Sequence, residues 1–401
     1  MAEGYGKISG PMFFVLMAVA NIGFSSTDMG NPDASHEGLL TTVIFIGGFV
    51  GSFPASFVAD KYGRKGALLA GSVFTLIGSV IQTSAYGYAQ FMVGRSLLGV
   101  GISFVDIAGP SMVAELAHPR QRGTVLGFFN SLFYVGSIIA AWSSFGSGHM
   151  NTSWSWRIPS LIQCLPAVFL IGMLPFIPES PRWLMAKGRG EEAQMILAQY
   201  HANGSMDDEL VLYEIEEIKN ALAIESRYSE IGWSVLWNTS ANRKKMALTI
   251  SVFVMCLWCG QGVITYYFSP LLTNLNITGT NQQTGINGGL QIWNFLISII
   301  GALLADRIGR RPLWMLSMIA MICSNIGITV TSAVHAKSVD NMPAAYMGIA
   351  FLFFLQRWFQ RCLQSTCICV SNGSLAIQHA YQGSGGHGSC WSILIDRQPV
   401  C

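Results

Sequence analysis

The sequence predicts an all-α, multi-pass membrane protein built from two pseudo-symmetric six-helix halves, the second of them incomplete. Three observations predict it. Of 401 residues, 51% are hydrophobic and 11% are charged, where a soluble domain carries about 25% charged residues. Apolar runs close to the length of a bilayer crossing, about 20 residues, follow one another along the chain. The hexapeptide DKYGRK at 60–65 returns as DRIGRR at 306–311, each copy closing one apolar run and opening the next. That repeat implies a duplicated helical bundle with the same short loop on the same side of the bilayer in both copies.

Taken in order, the spans fall at 11–30, 38–58, 66–85, 89–112, 123–146 and 156–177, then 247–272, 284–305 and 312–333, with a tenth beginning near Pro343. The first is read as a spanning helix rather than a cleaved signal, because the run continues past any small-residue cleavage pattern and more spans follow. The domains are 1–178 for the first half, 179–243 for a polar linker, 244–355 for the partial second half and 356–401 for a tail of different composition.

With the N-terminus in the cytoplasm, the inside loops hold Lys61, Arg64, Lys65, Arg120, Arg122, Arg307, Arg310 and Arg311, and the outside loops hold Asp33 and Glu37, with Lys337 and, at the edge of the sixth span, Arg157 as their only basic residues. This asymmetry follows the positive-inside rule. The sequons at Asn151 and Asn276 fall outside, where glycosylation is possible; those at Asn203 and Asn238 fall inside and are expected to stay unmodified. In the linker, Val211, Ile215, Ile218 and Leu222 share one face of a helix and Glu209, Glu216 and Asn220 the other. Short amphipathic helices lying against the cytoplasmic mouth are expected there.

Composition also excludes. A net charge of +2 with no basic patch interleaved with aromatics gives no nucleic-acid partner. The pair Cys256 and Cys259 lies inside a span with no second pair or His at zinc spacing, so it is read as helix packing, and no metal or cofactor is expected. No nucleophile–base constellation points to an enzyme.

Three motifs remain. PESPRWL at 178–184, the two loops at 60 and 306, and GPSMVAELAHPRQRG at 109–123 together resemble the sugar porter family of the major facilitator superfamily, in its fungal hexose and disaccharide permease flavour. The resemblance covers about residues 11 to 355. It implies a carrier working by alternating access, with a sugar as substrate and a proton as partner, in the plasma membrane. Asp60, Arg64, Glu115, Arg122, Glu179, Arg182, Asp306 and Arg310 sit at cytoplasmic helix ends, where opposite charges can bridge neighbouring helices. The resemblance makes them a gating network whose bridges form in one state and break in the other; the competing reading is positive-inside anchoring.

Asp28 lies late in the first span and Arg95 early in the fourth, both toward the outside. Two such intramembrane charges are expected to pair. The resemblance implies that Asp28 is the proton-coupling acid and Arg95 its partner; Asp106, deeper in the fourth span, is the alternative. A static pair is the competing reading.

Sugar recognition needs donors, acceptors and an aromatic face. By position, Asn130 matches the family's fifth-span glutamine, Asn294 its eighth-span asparagine, and Tyr266 and Tyr267 its seventh-span tyrosine pair. Gln163 and Gln291 are polar neighbours on spans six and eight. For each amide the competing reading is a helix–helix hydrogen bond, about 0.6 kcal/mol on average. The chain departs from the family where hexose porters place two glutamines and an asparagine in span seven: it has Cys256, Leu257 and Gly262. Gln261, next to the missing asparagine, is the candidate replacement, and glucose is not carried over as the substrate.

After Gln356 the pattern stops. The tail holds five of the nine cysteines, scattered Gly and Ser, and no apolar run near spanning length. It is read as the product of a frame change or retained intron, ahead of a genuine alternative C-terminus. A metal site from Cys362, Cys367, Cys369, His379 and His387 lacks zinc spacing. Two other functions stay open: a carrier-like sugar sensor, and a non-functional truncation product.

Overall fold

A computed structural model of the chain describes residues 34–229 apart from 120, 121 and 151, most of 280–358, and scattered positions between 240 and 279. Its long elements are all helices. α1 is Ala34–Thr83, α2 Tyr88–Leu116, α3 Arg122–Ser147, α4 Trp154–Ile162 and α5 Cys164–Met173. The linker forms α6, Pro181–Ala186, α7, Gly190–His201, and α8, Glu209–Ser229. α9 is Thr280–Ile308, α10 Arg310–Lys337 and α11 Met342–Trp358.

Two sequence-based spans, 38–58 and 66–85, appear as the two arms of α1, joined at Gly63 with φ 90° and ψ 170°. A side chain rarely adopts that conformation, so glycine makes the sharp reversal between the arms. The span read at 156–177 is divided into α4, α5 and a single 3-10 turn at Leu174–Phe176. Pro166 supplies the reason. It has no N–H for the carbonyl four residues back, and its ring crowds that carbonyl, so the helix breaks at Gln163.

Along α1, Leu40, Ile44 and Ala55 are buried, whereas Phe49, Phe53 and Phe57 are 68%, 66% and 63% exposed. Three phenylalanines stacked at four-residue spacing on an open face are intolerable in water and natural against lipid. α10 shows the same stripe at Ile319, Ile322 and Ile326. Four segments are long and apolar enough to cross a bilayer among the described residues: 38–83, 88–116, 154–176 and 315–334.

α2 packs along both arms of α1 through a seam of small residues. A Cβ on Gly99 would stand 2.2 Å from the Ile44 carbonyl oxygen, and one on Gly78 would stand 2.8 Å from that of Gly94. Backbones that close are the means by which helices associate in lipid, where tails are as apolar as leucine. The core of this bundle is Ala55, Ala59, Ala67, Leu68, Phe104, Val105, Ala108, Met112, Leu170 and Leu174. α3 packs on α9, joining the first part of the chain to the last, and α10 packs on α11. α7 and α8 close on Leu197, Ala198, Val211 and Ile215. Val211 and Ile215 are two of the residues whose spacing marked the apolar face.

Candidate functional site

Two places bring sequence-identified residues together. The first lies at the bend of α1. Gly63 leaves the following arm with unpaired N–H groups at its start, the usual deficit of a helix N-terminus. The Glu179 carboxylate fills it. Its Oε1 accepts the Arg64 N–H at 3.1 Å and the Lys65 N–H at 3.3 Å, and its Oε2 lies 3.3 Å from the same Lys65 nitrogen. The Ser180 N–H also donates to Oε1, at 2.9 Å. An anion at a helix N-terminus is favoured by both hydrogen bonding and the dipole.

Arg64 then turns its guanidinium to Glu115 at the end of α2. Nη2 lies 3.1 Å from Oε1, with the side chains 17% and 13% exposed. Its Nη1 donates to the Ala59 carbonyl at 3.3 Å. The Ser180 hydroxyl donates to Glu115 Oε2. Three segments thus meet on two carboxylates, the second arm of α1, the end of α2 and the start of α6, and Arg64 extends the junction to the first arm through the Ala59 carbonyl. Asp60 stands apart, 3.8 Å from Arg64 and 81% exposed, so its direct share in the pairing is small. Its backbone does more, accepting the Trp183 indole N–H at 3.0 Å. Arg182 is half-buried on α6. The side chains of Arg122, Asp306 and Arg310 lie outside the described residues.

Sequence reasoning missed Ser180. It caps α6 by accepting the Trp183 N–H at 3.2 Å, ahead of Pro181 at the first helical position. Ser before Pro at a helix start was the available signal. Ser180→Ala is expected to lower stability by about 1 kcal/mol as a lost cap. The loss should read out as a lower thermal midpoint of the purified protein.

The second place is the α3–α9 seam. Ser298 Oγ donates to Ser131 Oγ at 2.8 Å. Trp142 packs over Gly288, and Phe145 lies beside Gly285. Asn294, one turn from Ser298, is 2% exposed, and its Oδ1 has no donor. A buried carbonyl oxygen without a donor is costly and is what a hydroxyl-rich ligand can satisfy. Gln291 is held by Asn287, its Nε2 donating to Oδ1 at 3.1 Å. Gln163 is fully buried with both amide atoms unsatisfied. It sits at the α4–α5 break, where α4 packs chiefly on α3 and α1, so the structure does not join it to the Asn294 seam. The Asn130 side chain lies outside the described residues, as do Asp28, Gln261, Tyr266 and Tyr267.

Arg95 is 1% exposed on α2. Its Nη1 donates to the Leu40 carbonyl at 2.8 Å, and its guanidinium lies 4.8 Å from the centre of the Phe91 ring. A carbonyl and an aromatic face both favour the cation. Asp106 is exposed on the same helix.

Comparison with known proteins bears on what these places do. The family model described as "Sugar (and other) transporter" matches residues 5–374. High-affinity glucose transporter 1 of Candida albicans is 32% identical over 286 residues, 71% of this chain and 52% of its own length. A high-affinity glucose transporter of Kluyveromyces lactis is 31% identical over 317 residues, 78% of this chain and 57% of its own. The chain therefore spans about half the length of these relatives. Among solved structures, the proton:xylose symporter XylE bound to 6-bromo-6-deoxy-D-glucose superposes with TM-score 0.76 at 19% identity, covering 91% of this chain and 80% of its own. That likeness establishes the major facilitator fold.

Proposed function

Because the chain belongs to the sugar transporter family of the major facilitator superfamily, we propose that it carries a hexose or disaccharide across the plasma membrane by alternating access, in symport with a proton. The N-terminus and the bend of α1 face the cytoplasm in this reading. The observation that carries it is the double-carboxylate junction. Glu115 and Glu179 tie the second arm of α1, the end of α2 and the linker into one unit, which Arg64 joins to the first arm through the Ala59 carbonyl. Alternating access needs rigid bundles that part and re-dock, and contacts made in only one state set the balance between states.

Asn294 on α9 and, on the resemblance alone, Asn130 are assigned to sugar hydroxyls. Gln291, Gln163 and Gln261 are further polar candidates, and Tyr266 and Tyr267 are assigned to the extracellular side. Asp28 is assigned as the coupling acid and Arg95 as its partner, on the resemblance alone; protonation of Asp28 removes a charge that would otherwise cross the bilayer at high cost. The relatives' printed names speak of glucose and the solved neighbour's title of xylose and a proton, which supports a monosaccharide and symport here.

Uptake of labelled hexoses and disaccharides into transporter-deficient cells tests the reading. Accumulation that collapses with a protonophore is expected, together with loss of accumulation in Asp28→Asn. Accumulation of the same sugar untouched by the protonophore excludes symport. A second reading, a non-functional truncation product that fails membrane quality control, is favoured by the changed composition after Gln356. Loss of glycosylation and surface staining, with no uptake of any sugar, would select it.

A further inference from the structure

A polar cluster that the junction above does not use lies between α7, α8 and the last residue of α2. His201 ends α7, Glu214 lies on α8, and their side chains are 4% and 8% exposed. His201 Nδ1 stands 2.8 Å from Glu214 Oε2, and its Nε2 stands 3.2 Å from the Leu116 carbonyl oxygen. The His118 ring, just after α2, meets the His201 ring edge-on at 5.2 Å. Glu214 from α8 and His118 from the segment after α2 are among the titratable groups that face His201; α2 itself presents a carbonyl.

The chemistry of the partners fixes the proton count. A carbonyl oxygen only accepts, and so does an ionised carboxylate. A neutral imidazole that donates to Leu116 would turn its Nδ1 lone pair against a carboxylate lone pair at 2.8 Å. The arrangement therefore holds one proton more than neutral imidazole plus carboxylate, either as imidazolium beside Glu214 or as neutral acid donating to neutral imidazole. Two features favour the imidazolium. The Leu116 carbonyl belongs to the unpaired C-terminal end of α2, where the helix dipole attracts a cation. Glu214 Oε1 is buried with no donor, so a charged Glu214 depends on His201 for compensation.

We propose that His201 and Glu214 are positioning residues for the transport cycle: the protonated pair docks α7 and α8 onto the end of α2 and so holds Glu115, the neighbour of Leu116, against Arg64. Its functional half rests on the transport reading. A free histidine titrates near pH ~6.5 and is mostly neutral in cytoplasm. The docked state binds one more proton than the undocked state. Docking is therefore firm at low cytoplasmic pH and loosens as pH rises, by up to about tenfold in the docking equilibrium per pH unit.

Hydrogen–deuterium exchange of the full chain in lipid nanodiscs, corrected for the intrinsic pH dependence of exchange, tests docking between pH 6 and 8. In the native chain, exchange within α7 and α8 is expected to rise at least severalfold over that range. In Glu214→Gln, the amide can donate to Nδ1 of a neutral imidazole while Nε2–H still donates to Leu116. Protection is then expected at both pH values, with the pH dependence gone. His201→Phe is expected to be unprotected throughout, and His118→Phe to keep the native pattern. A native profile flat in pH, or Glu214→Gln as exposed as His201→Phe, overturns the docking assignment. Uptake measured in parallel separates the two claims. If the exchange pattern holds while even the native chain carries nothing, the transport reading fails and docking stands. If the native chain carries sugar with a cytoplasmic pH profile that Glu214→Gln leaves unchanged, the link to the gate is overturned.

Discussion

Glu115→Ala is expected to give one of the two largest losses of stability among single substitutions at the junction, with a loss of function. Glu115 accepts from Arg64 at 3.1 Å with both side chains mostly buried, and it receives the Ser180 hydroxyl. Removing it leaves a guanidinium in a poorly hydrated pocket. Breaking a fully buried pair costs about 3–5 kcal/mol; the 17% and 13% exposure here brings the expectation to about 2–3 kcal/mol. The thermal midpoint of the purified protein reads the loss. In a double-mutant cycle, Arg64→Ala added to Glu115→Ala should cost much less than it does alone, because the orphaned charge goes with it. Strict additivity of the two would show that they are not coupled. For transport, the expected signature is a shift in the balance of inward- and outward-facing states, seen as altered uptake at normal surface expression.

Gly63→Ala is expected to give the other, of comparable size. At φ 90° and ψ 170° the residue occupies a region open essentially to glycine, and a side chain there costs about 1–3 kcal/mol. The added Cβ would also stand 2.4 Å from Glu179 Oε2 and 2.8 Å from its Cδ. The carboxylate must then leave the Arg64 and Lys65 N–H groups, at about a further 1 kcal/mol for a lost cap. Glu179→Ala alone should cost the cap only. Adding Glu179→Ala to Gly63→Ala should relieve the clash but not the backbone strain, so the double variant stays below Glu179→Ala in thermal midpoint. A double variant as stable as Glu179→Ala would disprove the strain at Gly63.

Much of the fold was legible because its signals are local. Hydropathy over about 20 residues marks a spanning helix whatever it packs against, and the α8 face at Val211 and Ile215 follows from four-residue spacing alone. The seam of Gly78, Gly94 and Gly99 was not read. A glycine in an apolar run looks like any other small residue until a second helix arrives within backbone distance. Nor was the division of span six, although Pro166 was visible. Arg64, Glu115 and Glu179 were named together from the sequence and the structure brings them into contact, but the pairing among them was not read. Asp60 was named beside them and is the most exposed of those whose side chains are described. His201 and Glu214 were passed over, since each reads by itself as a solvated residue of a polar linker.

By itself, then, the sequence determined that this chain is a duplicated array of membrane helices with charged motifs at their ends, because apolar length, positive-inside bias and repeated short loops need no knowledge of what lies alongside. Tertiary structure alone decided which charge answers which. Arg64 meets Glu115 from 51 positions away and Glu179 meets the Arg64 backbone from 115, while His201 reaches the Leu116 carbonyl from 85. The choice among several acids of the same charge rests on how the helices cross and where the α1 bend leaves its N–H groups, and neither is written in any local stretch of residues.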